Sequence, residues 1–106
     1  MECIYLIGSH ETSLYKIGVT EEKEINTRLR NIQVGCPYKI EVIDHFPTLY
    51  AYKVEKIVHR SLSCEKTDGN GVPLHGEWFY LGLENVYKFQ EKCTLSESNY
   101  KLIQDL

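Results

Sequence analysis

The sequence predicts an α+β fold, a small and mainly antiparallel sheet of three to four strands flanked by helices. Three observations predict it. Two β-rich runs separated by a short polar connection open the chain, two stripes of helical spacing follow, and an aromatic run of strand type comes late. At 106 residues the chain has the length of one domain, residues 1–106, built on a single core.

Residues 3–8 (CIYLIG) are apolar and β-prone, and read as the first strand. After the polar stretch 9–13, residues 14–19 (LYKIGV) alternate, with Tyr15, Ile17 and Val19 sharing one face. The short connection makes these two strands an antiparallel hairpin. Gly8 and Gly18 near the strand ends point to a bulge or a close backbone approach. Thr20 is placed to cap a helix carrying Ile25, Leu29 and Ile32 at i, i+4, i+7, which Gly35-Cys36-Pro37 terminates.

Residues 39–46 read as a third strand, with Ile40 and Val42 alternating with Glu41. Pro47-Thr48 opens a second helix of about 15 residues whose buried line is Ala51, Val54, Val58 and Leu62. Residues 65–76, with D-G-N-G at their centre, form a long loop of the functional or mobile kind. Residues 77–81 (EWFYL) are a short strand, and 83–93 and 96–106 read as two helices with Ser96 capping the second.

Composition narrows the class of function. The 42% hydrophobic and 25% charged fractions exclude a disordered chain. Twelve basic against fifteen acidic residues, a net charge of −3, argue against a sequence-independent nucleic-acid coat protein. Met1-Glu2 leads directly into the first strand without a signal-peptide pattern, and no apolar run approaches membrane-spanning length. A reducing, cytoplasmic location without membrane attachment is therefore expected. Cysteines at 3, 36, 64 and 93 contain no C-x-x-C pair, which argues against structural zinc and for free thiols.

Several polar residues lie where core packing does not require them. At about 100° per residue, Arg28 falls roughly 65° from the centre of the first helix's apolar stripe, whereas Arg30 faces water. On the second helix Tyr52, Glu55 and His59 share the core boundary at i, i+3, i+7, so a carboxylate and an imidazole stand one turn apart. That pairing suits a divalent cation beside a proton-handling group. Tyr5 and Tyr15, from eight tyrosines in all, fall on the two hairpin strands. Residues 26–40 hold Arg28, Arg30 and Lys39 and no acid, and with Lys53, Lys56 and Arg60 they can form a basic rim. Trp78 and Phe79 read as core aromatics.

In order, Ile4-Tyr5, Tyr15-Lys16-Ile17-Gly18, the Arg28-Leu29 pair and Glu55 resemble the GIY-YIG nuclease superfamily. The runs TRLRNIQVGCP, EKIVHRSL and HGEWF look like its compact phage- and virus-type subgroup. The resemblance covers residues 3–81, leaving 82–106 as a helical extension. Cys3 replaces the first glycine of the name-giving triplet, and Cys36 stands before Pro37.

The resemblance implies that Tyr5 and Tyr15 bring a hydroxyl pair to a scissile phosphate, with Arg28 as the cation stabilising its developing charge. It implies Glu55 as the protein ligand of Mg²⁺ or Mn²⁺, and Tyr5, assisted by His59, as the group taking a proton from the attacking water. As a phenol normally titrates near 10, that role requires Arg28 or Lys16 to perturb it. Lys16, Arg30, Lys39 and Glu77 are the expected substrate-binding residues. The expected activity is a metal-dependent endonuclease hydrolysing DNA. The alternative is a nucleic-acid- or protein-binding module that keeps the fold without turnover. In either case the small size places specificity in the module itself, in a homo-oligomer or in a protein partner.

Overall fold

The computed structural model describes residues 1–62 and 76–104. Four strands, β1 (Glu2–Ser9), β2 (Leu14–Glu21), β3 (Glu41–Pro47) and β4 (Trp78–Tyr80), form one antiparallel sheet in the order β3-β1-β2-β4. The helices are α1 (Ile25–Val34), α2 (Ala51–Ser61), α3 (Leu83–Tyr87) and α4 (Phe89–Gln104). The α+β architecture is the one expected.

Central position explains why β1 is apolar almost throughout. Cys3 to Ile7 are all fully buried because helices cover both faces of the sheet. Ile4 and Leu6 join Tyr15 and Ile17 under Ala51, Val54 and Val58 of α2, with Phe89 and Cys93 of α4 in the same cluster. On the opposite face Tyr5 and Ile7 pack with Ile40 and the α1 stripe of Ile25, Leu29 and Ile32. The buried line of α2 is as its spacing requires.

Both hairpin glycines mark close approaches. A side chain at Gly8 would enter the Tyr15 ring and the Leu14 carbonyl, and one at Gly18 would enter the Tyr5 hydroxyl. A bulge does occur, but on β3. Leu6 pairs with Asp44 and Ile7 with Val42, so Ile43 is the extra residue and turns to the α2 face while Val42 stays on the α1 face. The alternation of Ile40, Glu41 and Val42 therefore stops there.

β3 begins at Glu41 and not at residue 39, and β4 is confined to Trp78–Tyr80; at three further boundaries tertiary pairing overrides a local signal. Thr20 pairs with Cys3 inside β2, and a single 3-10 turn at Glu22–Glu24 precedes α1. Pro47 ends β3 opposite Cys3, so α2 begins later, with the Thr48 hydroxyl accepting from the Tyr50 amide at 3.2 Å. The C-terminal break falls at Lys88 instead of 94–96, because Cys93 and Ser96 are buried on one continuous face of α4. Thr48 also bonds Glu97, tying the start of α2 to that helix.

Cys3, Cys36 and Cys93 are free thiols. Cys64 and residues 65–75 of the expected loop lie outside the described residues. Among the described residues, no helix is long and apolar enough to cross a membrane.

Candidate active site

The site forms where β2 outruns β4. β4 pairs with Leu14 to Lys16, and one further bond, from the Ile17 amide to the Glu77 carbonyl at 3.0 Å, brings Glu77 alongside Gly18. Gly18 lies opposite Tyr5 in the β1–β2 ladder. Lacking a Cβ, it lets the Tyr5 ring lie across β2; an added methyl would also stand 2.6 Å from Glu77 Oε2.

Here three side chains meet. Arg28 Nε donates to the Tyr5 hydroxyl at 3.3 Å, and that hydroxyl donates to Glu77 Oε2 at 3.4 Å. Lys16 Nζ stands 4.0 Å from the same carboxylate oxygen. Burial pushes the Tyr5 phenol above its usual range; the Arg28 hydrogen bond opposes this, and the Glu77 charge adds to it. Tyr5 is consequently a neutral phenol. The expected lowering by Arg28 or Lys16 is overturned because desolvation of a fully buried ring outweighs one guanidinium. Tyr5 holds Arg28 firmly charged in return.

Glu55 and His59 reach this edge from α2. His59 Nε2 donates to the Ile17 carbonyl at 2.9 Å, lies 3.7 Å from Glu55 Oε1, and packs edge-on against Phe79 at 4.8 Å. Because a carbonyl only accepts, this bond puts a proton on Nε2. The geometry makes His59 a clamp between α2 and the sheet edge, with its ring fixed beside Glu55. The Glu55 side chain is only 16% exposed. Burial first, and then the Glu77 charge, push its carboxyl up to about 7, with Lys56 weakly opposing.

A part-buried carboxylate that feels the charge of a second one suits a hard divalent cation that keeps most of its waters. Glu55 is the residue that could hold it. Among the described residues no three His, Cys, Asp or Glu side chains gather as a metal cage, so the donor set fits a hydrated cation better than zinc.

Tyr15 does not join this cluster. Residues paired across an antiparallel ladder share a face, and Tyr15 is paired with Gly8 whereas Tyr5 is paired with Gly18. The Tyr15 ring is consequently buried on the α2 face, its hydroxyl 2.7 Å from His10 Nδ1. The implied hydroxyl pair is therefore corrected to a single hydroxyl, and Lys16 takes the neighbouring position on the Tyr5 face. Arg30 is exposed on α1 and donates to Thr27 Oγ1 at 3.2 Å, away from Tyr5. Lys39 lines a separate recess with Gly8, His10 and Glu41. Tyr52 is exposed. Lys53, Lys56 and Arg60 are exposed along α2.

A groove of about 510 Å³ adjoins the cluster, with Lys16, Arg28, Asn31, Pro37, Tyr38 and Trp78 among its lining residues. Sequence reasoning missed it by assigning Trp78 to the core. Phe79 is buried, but Trp78 is only half-buried and Lys16 Nζ stands 5.8 Å from its ring centre. One signal was present: Asn31 follows Arg28 at i+3, so both lie on one edge of α1.

Fold and site together define a small α+β domain with a hydroxyl–guanidinium–carboxylate cluster at a sheet edge. The chain belongs to the T5orf172 domain family, which it matches over residues 2–94. This is a phage-associated domain of nuclease-related type. No curated protein and no solved structure matches the chain.

Proposed function

We propose that this protein is a metal-dependent endonuclease that hydrolyses phosphodiester bonds in DNA. The observation carrying this reading is the convergence of Tyr5, Arg28, Lys16 and Glu77 beside Glu55. The family match and the GIY-YIG resemblance of Tyr5, Gly18, Arg28 and Glu55 support the same reading.

Hydrolysis needs an activated water, a cation for the non-bridging oxygens, and help for the departing 3′ oxygen. Among the described residues the terminal nitrogens of Arg28 have no hydrogen-bond partner while its Nε holds Tyr5, so one guanidinium positions the phenol and neutralises the phosphate. Tyr5 acts as a relay: its oxygen takes the water's proton as its own proton passes to Glu77 Oε2. No free phenolate is required. Lys16 adds positive charge beside Glu77, and His59 keeps Glu55 oriented. Glu55 would hold a Mg²⁺ or Mn²⁺, and the bound ion would supply Lewis-acid neutralisation of the departing oxygen.

The test is nicking of a supercoiled plasmid with Mg²⁺ or Mn²⁺, stopped by EDTA. Arg28→Ala and Glu55→Ala are each expected to slow nicking about 100-fold or more while circular dichroism stays unchanged. A cooperatively folded protein that binds DNA without nicking it would instead support the non-catalytic binding module.

A further inference from the structure

We infer that the groove between the C-terminal end of α1 and the start of β4 is a subsite for an unpaired DNA nucleotide next to the phosphate at Tyr5; only that phosphate placement rests on the nuclease reading. Arg28 connects the two places, since it lines the groove and bonds the Tyr5 hydroxyl. A nucleotide seated there has its adjoining phosphate at the Tyr5–Arg28 pair.

The lining has the chemistry of a nucleotide. Lys16 and Arg28 supply positive charge, and among the described residues no acid lines the groove, although the whole chain is net −3. Pro37, Tyr38 and Trp78 offer flat apolar surface for a base, and the Asn31 amide can both donate to and accept from a base edge. The outer wall is built in advance. Gln33 Nε2 donates to the Tyr38 carbonyl at 2.8 Å, and Gln33 Oε1 accepts from the Ile40 amide at 2.9 Å, so residues 35–39 are pinned to α1.

Shape selects the unpaired form. A duplex shows proteins only the edges of its bases, because both base faces are stacked. An aromatic wall is useful only to a base whose face is free. The volume lies within the range of sites that enclose small ligands, not a double helix.

Trp78 is the only tryptophan in the chain, so its fluorescence reports the groove directly. The experiment titrates a single-stranded six-nucleotide DNA, and a blunt duplex, into the full chain in EDTA. The single strand is expected to quench Trp78 and bind about tenfold more tightly than the duplex. Fluorescence anisotropy of labelled oligonucleotide is expected to show about tenfold weaker binding by Trp78→Ala. Asn31 is exposed, so Asn31→Ala tests the groove without threatening the fold; it is expected to reduce discrimination among homopolymers. Equal affinity for duplex, or single-strand binding without quenching, overturns the inference. Quenching without plasmid nicking supports the subsite and defeats the nuclease reading. Nicking without quenching does the reverse.

Discussion

Glu55→Gln is the most diagnostic single change. In the folded chain the Glu55 carboxyl sits at about 7, against 4.5 for a free glutamate. Folding therefore favours its protonated form, and that contribution is fully present below about pH 4.5 and lost as pH rises through about 7. At about 1.4 kcal/mol per tenfold in proton affinity, the full loss is about 3 kcal/mol. Glutamine keeps the shape and never ionises, so the variant avoids that loss. Urea denaturation in EDTA between pH 4.5 and 8.5 is expected to show the variant gaining on the wild type by up to about 3 kcal/mol, mostly between pH 5 and 7. Adding Mg²⁺ at pH 8 is expected to recover stability in the wild type and not in the variant, because the cation needs the ionised carboxylate. Parallel stability curves across this pH range would refute the reasoning, since Glu55 would then be an ordinary solvated carboxylate.

Other expectations follow from the same geometry. Tyr5→Phe removes the relay hydroxyl and is expected to cut nicking about 100-fold, whereas Tyr15→Phe acts on the opposite face and should leave it within about twofold. A stopped reaction in Tyr15→Phe would restore the hydroxyl pair. Gly18→Ala pushes a methyl into Tyr5 and Glu77, with an expected cost of about 1–3 kcal/mol in thermal or urea unfolding and a loss of nicking. Gly35→Ala meets nothing within 4 Å and should stay within about 0.5 kcal/mol of wild type. Gln33→Ala leaves the Tyr38 carbonyl and Ile40 amide without their partner, and is expected to cost about 1–3 kcal/mol and weaken single-strand binding.

Much of the fold is legible because burial imposes periodicity on the residues that face it. The α2 line of Ala51, Val54, Val58 and Leu62 is buried as its spacing requires, and Ile25, Leu29 and Ile32 do pack on the sheet. Boundaries were less legible. Thr20 is a good cap locally, but its pairing with Cys3 holds it in β2, and Ser96 packs inside α4 instead of starting a new helix. Long-range pairing outweighs a single capping hydrogen bond, which is worth only about 1 kcal/mol.

The candidate site divides in the same way. Helical spacing singled out Arg28 and Glu55, the family resemblance added Tyr5 and Glu77 to them, and all four lie at one edge of the sheet. What only the tertiary structure decided is which neighbours share their face. Pairing of Tyr5 with Gly18 directs Lys16 toward Glu77 and sends Tyr15 through the sheet to His10. A strand's alternation tells which of its residues agree with one another, but the register with its neighbour decides which face each set occupies. Tyr5 likewise reads as a base from the family resemblance, yet stays protonated because burial, a property of the whole fold, outweighs the charge beside it.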